Sequence, residues 1–138
     1  MLRGLATVSY WADDMAAARA WYTQVLGIEP YFSRGDAYYE FRVGDYQHEL
    51  GLIDRRYQPD GVAGGPGGTV AYWHVDDVQA AVDRLLALGA TLHEAPQDRG
   101  AGFVTATVID PFHNILGVMY NPHYVDILSA ERGRSTLG

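Results

Sequence analysis

Five histidines, His48, His74, His93, His113 and His123, and the carboxylate Glu49 have the chemistry to hold a divalent ion or to move a proton near neutral pH. Other chemistry is excluded by residue type. The chain has no cysteine, which removes disulfides, thiolate zinc sites and a cysteine nucleophile. All ten basic residues are arginine, so neither a Schiff-base lysine nor a P-loop lysine exists. "GGPGG" at 64–68 lacks the spacing of a dinucleotide-binding turn. No GxSxG elbow, HExxH helix or EF-hand loop occurs.

The balance of the chain narrows its partners. It has 138 residues, 48% apolar and 20% charged, enough to bury a globular core. A formal charge of −7 argues against nucleic acid, whose phosphates need a basic face, and suits a cationic small molecule. "MLRGLATVSYWADD" meets acidic residues too early for a signal peptide, and no apolar run approaches a membrane span. A soluble cytoplasmic protein is expected.

The elements that must position these residues come in two copies. "TVSYWADDM" from Thr7 is echoed by "TVAYWHVDDV" from Thr69. In the first copy, a β-branched and aromatic strand over 7–11 leads to an N-cap at Asp13 or Asp14. A helix follows, with Met15, Ala18, Trp21, Tyr22 and Val25 on one face and Gly27 closing it. Three short strands come next, "PYFSR", "AYYEFRV" and "QHELGLI", separated by "GD" turns. The second copy repeats the order: "TVAYWHV", a capped helix with Val78, Ala81, Val82, Leu85 and Leu86 inward, then "TLHEAP", "GFVTATVID" and "NILGVMY". This predicts an α+β chain of two tandem βαβββ modules, 1–57 and 69–124. A connector at 58–68 with five glycines and two prolines joins them, and 125–138 forms a C-terminal tail.

Two such units, with "WYTQVLG" closing the first helix and "DPFHN" opening the last strand, resemble the vicinal oxygen chelate superfamily of glyoxalase I, bleomycin-resistance proteins and extradiol dioxygenases. The resemblance covers residues 5–124. It implies that each module curls a mixed sheet into a half-barrel, that the half-barrels enclose a cavity, and that the protein is a homodimer. It also implies metal ligands in the first and last strands of each unit. Those positions fall here on Thr7, Val70 and Gly117, with Glu49 as the fourth. Aligning the two "LG" dipeptides selects Gly51 instead, on the same face. Valine and glycine offer no donor, and a catalytic ion needs about three protein ligands. No metal cofactor is therefore expected.

With that register, strand alternation lines the cavity with Thr7, Ser9, Trp11, Val70, Tyr72 and His74 from the first strands. Gln47, Glu49, Gly51, Ile115, Gly117 and Met119 follow from the last strands, and His48 points away. Gly51 and Gly117 either leave room for a ligand or relieve crowding. Glu49 is suited to proton transfer or to a cationic ligand, unless an arginine such as Arg42 takes it. His74 is a wall residue or an acid/base partner, and His113 is a turn residue. Arg55 and Arg56 beside the connector are placed to meet an anion if the loop acts as a lid. Ten tyrosines and three tryptophans supply stacking surface. The expected function is metal-free binding of an aromatic or cationic small molecule. The alternative is a divalent-metal lyase, isomerase or dioxygenase with an unusual site around Glu49 and His74.

Overall fold

The computed structural model describes residues 1–62 and 65–137, with side chains through 134; Ala63 and Gly64 of the connector, and Gly138, lie outside the described residues. The elements run β1 (Thr7–Ala12), α1 (Met15–Leu26), β2 (Phe32–Arg34), β3 (Tyr38–Val43), β4 (His48–Asp54) and a 3-10 turn (Arg55–Tyr57). They continue with β5 (Ala71–His74), α2 (Val78–Ala87), β6 (Thr91–Gly100), β7 (Phe103–Ile109), β8 (Ile115–Tyr120) and α3 (Pro122–Leu137). The chain divides into two compact units: Met1–Thr69 with Asp110–Asn114, and Val70–Ile109 with the chain from Ile115. Each has a four-stranded mixed sheet, ordered β1-β4-β3-β2 and β5-β8-β7-β6. The first and last strands of each unit pair in parallel and the others antiparallel. The α+β repeat is as the sequence predicts.

Local chemistry sets the helices. Asp14 Oδ1 accepts the Ala17 N–H at 3.0 Å and Asp77 Oδ1 that of Ala80 at 3.0 Å, so each helix starts on an aspartate cap. Gly27 ends α1 with a left-handed backbone, φ 71°. Met15, Ala18, Trp21 and Tyr22 of α1 are buried with Tyr10, Ala12, Tyr39, Phe41, Val43, Leu50 and Leu52 of the first sheet. Val78, Val82 and Leu85 of α2 are buried with Ala106, Val108, Leu116 and Val118 of the second. Leu86 departs from the inward expectation at 36% exposure, because it sits 100° round the helix from Leu85.

Other boundaries also differ. Gln47 is not in a strand: it takes φ 54° in the turn before β4, and its side-chain amide folds back onto the Gly44 carbonyl at 3.1 Å. β6 runs on to Gly100 through register shifts near Glu94 and Asp98, which the proline of "TLHEAP" does not stop. The expected tail is the helix α3, opened by Asn121, whose Oδ1 accepts the His123 N–H at 2.9 Å. No helix among the described residues is long and apolar enough to cross a membrane.

The segment "DPFHN" belongs to the first unit by its packing. Asp110, only 3% exposed, accepts the N–H groups of Phe112 (2.9 Å) and Asn114 (2.8 Å) on Oδ1. Its Oδ2 accepts the Tyr22 hydroxyl (2.5 Å) and the Asn114 amide (2.9 Å). Asn114 also brackets the Trp11 backbone, donating to its carbonyl at 2.8 Å and accepting its N–H at 3.3 Å. The amide thus stands in for a neighbouring strand along the outer edge of β1. His113 carries φ 72° in this turn, the role expected of it. Asp110→Ala strands three N–H groups and a buried hydroxyl, and should lower urea-measured stability by at least about 2 kcal/mol. A loss below about 0.5 kcal/mol would contradict that account.

Candidate functional site

The side of the first sheet facing away from α1 is fixed by alternation. Tyr10, Ala12, Tyr39, Phe41, Leu50 and Leu52 are buried in the core, so their neighbours Thr7, Ser9, Trp11, Tyr38, Glu40, Arg42, Glu49, Gly51 and Ile53 share the opposite face. Register sets the rows across that face. Thr7, Glu49 and Arg42 lie abreast, then Ser9, Gly51, Glu40 and Phe32, then Trp11, Ile53, Tyr38 and Arg34.

The first row is a closed ion pair. Glu49 Oε1 lies 3.0 Å from Arg42 Nη1, and Oε2 accepts the Thr7 hydroxyl at 2.8 Å. Arg42 also lies over the Tyr31 ring, 5.0 Å from its centroid. Glu49 is therefore not a lone carboxylate: the partner named for it in sequence, Arg42, holds it.

The second row carries proton chemistry that the sequence reading does not name. The Tyr38 hydroxyl donates to Glu40 Oε1 at 2.5 Å. Burial, then the charge of Glu49, raises the Glu40 carboxyl above the usual range, against an opposing pull from Arg42. Burial and Glu49 also raise the Tyr38 hydroxyl, so it remains a donor. A Cβ on Gly51 would lie 2.8 Å from Ser9 Oγ and 2.9 Å from the Tyr38 ring. The space left by this glycine holds a tyrosine ring.

The third row opens into a cavity of about 510 Å³ lined by Arg34, Ala37, Tyr38, Ile53 and Tyr57. Tyr57 comes from the 3-10 turn directly after β4 and is 56% exposed, with the Arg56 guanidinium 5.0 Å from its ring centroid. Trp11 stands beside Ile53 in register. A second cavity, about 120 Å³, lies at Arg19, Pro30, Tyr31, Phe32, Ser33 and Tyr39. Its size falls well below the roughly 300 Å³ at which organic ligand sites begin.

The second unit uses its corresponding face differently. Tyr72, Gly117 and Thr107 lie abreast, and a Cβ on Gly117 would meet the Tyr72 ring at 2.6 Å. Here too an aromatic ring occupies the glycine's space. Thr107 is buried, with its hydroxyl 2.9 Å from His93 Nδ1. His74 Nδ1 accepts the Asn121 N–H at 3.1 Å, and its ring stacks on Tyr124 at 4.5 Å between centroids. In the neutral ring Nε2 then carries the proton and faces Asp76 at 3.7 Å, leaving no lone pair for a metal. His74 is thus held in place by Asn121 and Tyr124. Met119 borders it in register, with its sulfur 3.9 Å from the Asn121 amide, and Ile115 ends the same face.

The remaining candidates are engaged locally. His48 stacks on Tyr46 and His123 lies 5.2 Å from Phe103. Arg55 pairs with Asp13 at 3.0 Å and donates to the Phe112 carbonyl at 2.7 Å, so it is not poised for an anion. Arg56 pairs with Asp54 at 3.4 Å. The four positions carried over for metal ligands hold one carboxylate, already bound by Thr7 and Arg42, and a glycine beneath Tyr72. They do not fit a glyoxalase-type ion, and no cluster of three histidine or acidic side chains suited to one occurs among the described residues.

Each unit is a βαβββ module whose first and last strands pair in parallel and whose sheet has one face buried against a helix. The chain belongs to the Glyoxalase/Bleomycin resistance protein/Dioxygenase superfamily, whose family model matches residues 4–118. Among solved structures it is similar to a glyoxalase-related enzyme from Fulvimarina pelagi, at 23% identity and TM-score 0.71 over 88% of this chain and 90% of that one. A lactoylglutathione lyase from Agrobacterium tumefaciens gives 23% and 0.68 over 88% and 96%. A family enzyme from Burkholderia phytofirmans gives 21% and 0.65 over 83% and 96%. No curated protein sequence matches the chain.

Glu40 gives this site a pH signature. Its raised folded-state value means that the folded protein binds the proton more tightly than the unfolded chain between the two values. Stability should therefore fall as pH rises from the usual carboxylate range through the folded value. Glu40→Gln should flatten that segment of the melting-temperature profile, above the usual carboxylate range. An unchanged slope in the variant would contradict the assignment.

Proposed function

We propose that the chain binds a planar organic molecule on the open face of its first sheet, and that it does so without a resident metal. The open cavity beside Tyr38, Ile53 and Tyr57 carries this reading: it has the volume of an organic ligand site, two tyrosines in its wall and Arg34 as its charged group. Of the two ligand classes suggested by composition, aromatic and cationic, the face favours the aromatic. Its carboxylates already have partners, Glu49 in Arg42 and Thr7, Glu40 in Tyr38. Sequestration of such a ligand, as in the bleomycin-resistance branch, needs no further chemistry.

One observation favours an enzyme as the second reading. Tyr38 and Glu40 form a short donor–acceptor pair one row from the cavity, and Glu40 holds its proton to higher pH than an ordinary carboxyl. In that reading Glu40, rather than Glu49 or His74, transfers the proton.

The test begins with protein purified without chelator and offered Zn²⁺, Ni²⁺, Mn²⁺ and Fe²⁺. Metal well below stoichiometric is expected. Binding of 2-naphthol followed by calorimetry should be the same before and after EDTA, and about three- to tenfold weaker in Tyr57→Ala. Stoichiometric metal, or loss of naphthol binding with EDTA, would contradict the proposal.

A further inference from the structure

Arg34 is the charged residue of this cavity that the fold leaves unmatched. It sits opposite Tyr38 in the β2–β3 register and lines the cavity with Tyr38, Ile53 and Tyr57. Its backbone carbonyl accepts the Ala37 N–H at 3.1 Å, but among the described residues its side chain makes no ion pair, hydrogen bond or ring contact. The other arginine of this face, Arg42, is committed to Glu49 and to the Tyr31 ring. Arg56, beside the cavity on the 3-10 turn, pairs with Asp54.

The acidic groups of the face do not offset it. Neither lines the cavity: Glu49 is paired with Arg42, and Glu40, which accepts the Tyr38 hydroxyl, lies in the next row. A cationic ligand entering beside Tyr57 would meet Arg34, and no carboxylate lines the cavity to receive it. A carboxylate matches a guanidinium in shape as well as charge, through two parallel N–H···O bonds. An attached ring would lie against Tyr38, Tyr57 and Ile53, whose faces are apolar.

We infer that the ligand is an aromatic carboxylate, anchored through its acid group by Arg34 with its ring against Tyr38, Tyr57 and Ile53. This rests on the first-sheet cavity being the binding site, and it reverses the charge preference that the chain's overall acidity suggests. Arg34 is the specificity residue of the site. It selects the anionic member of any set of equally sized aromatic compounds, and it does so through an interaction that added salt weakens.

The test uses the full chain and three probes of one shape: 2-naphthoate, 2-naphthamide and 2-naphthylmethylammonium, titrated by calorimetry at low and moderate salt. Naphthoate should bind about tenfold more tightly than naphthamide, with the ammonium compound weakest. Arg34→Gln should remove that advantage, bringing naphthoate to the level of naphthamide in the same variant. Arg34 is exposed and holds no partner, so the variant is expected to fold, and its melting temperature verifies this. Equal binding of naphthoate and naphthamide, or a naphthoate advantage that survives Arg34→Gln, overturns the inference. If Tyr57→Ala weakens all three compounds in that case, the cavity reading stands and only the anchor fails. If Tyr57→Ala changes none of them, or if none binds, the cavity reading falls as well.

Discussion

The geometry of the first unit depends on one buried carboxylate. Asp110 receives four hydrogen bonds, two from backbone, one from Asn114 and one from Tyr22. Burying a charge costs several kcal/mol, and that cost is offset only when its lone pairs are filled. Burial and the adjacent Asp110 raise the Tyr22 hydroxyl well above its ordinary range, so it remains a donor. Asn114, oriented by Asp110, then fixes both backbone groups of Trp11. The register of β1 against β4 follows, and with it Trp11 beside Ile53 and Thr7 beside Glu49. A chemically inert turn thereby positions the open face where the proposed chemistry lies.

The two sheets share a pattern and differ in its use. Each carries a glycine in its last strand, and in each a tyrosine ring fills the gap, Tyr38 over Gly51 and Tyr72 over Gly117. In the first unit the covering tyrosine comes from β3 and reaches Glu40, so the ring belongs to a polar row beside a cavity. In the second it comes from β5 and stands 46% exposed. The histidine two residues further along β5, His74, is tied to Asn121 and Tyr124. Duplication of the fold has not duplicated the site.

Much of this was legible in the chain before folding. The aspartate caps, the glycine stop of α1 and the alternating strands are local signals that tertiary packing left intact. The open-face assignment of Thr7, Ser9, Trp11, Glu49, Gly51, Tyr72, His74, Gly117 and Met119 follows from alternation once the resemblance supplies the register. Gln47 failed because a turn dipeptide draws its neighbours into the turn, and its left-handed backbone delays the start of the expected strand to His48. The helix after Tyr120 was missed because its apolar residues do not recur with a clear helical period.

The site itself was only half visible. Attention to the first and last strands of each repeat found Glu49 and passed over β3, whose "YYEFRV" puts Tyr38, Glu40 and Arg42 on the same face once Tyr39, Phe41 and Val43 turn inward. That alternation was the available signal. Ile53 shares the alternation of Glu49 and Gly51 along β4, but Arg34 and Tyr57 had no signal so direct, since a three-residue edge strand and a 3-10 turn show too little periodicity to orient.

The most direct measurement of the central claim is an NMR footprint of 2-naphthamide on the intact chain, using isoleucine methyl and backbone amide signals. The account predicts that Ile53 methyls and the amides of Arg34, Tyr38 and Tyr57 shift, with contacts from the probe's ring protons to Ile53. Shifts confined to Tyr72, Gly117 and Met119, or to Tyr31 and Phe32, would place the ligand elsewhere and contradict it.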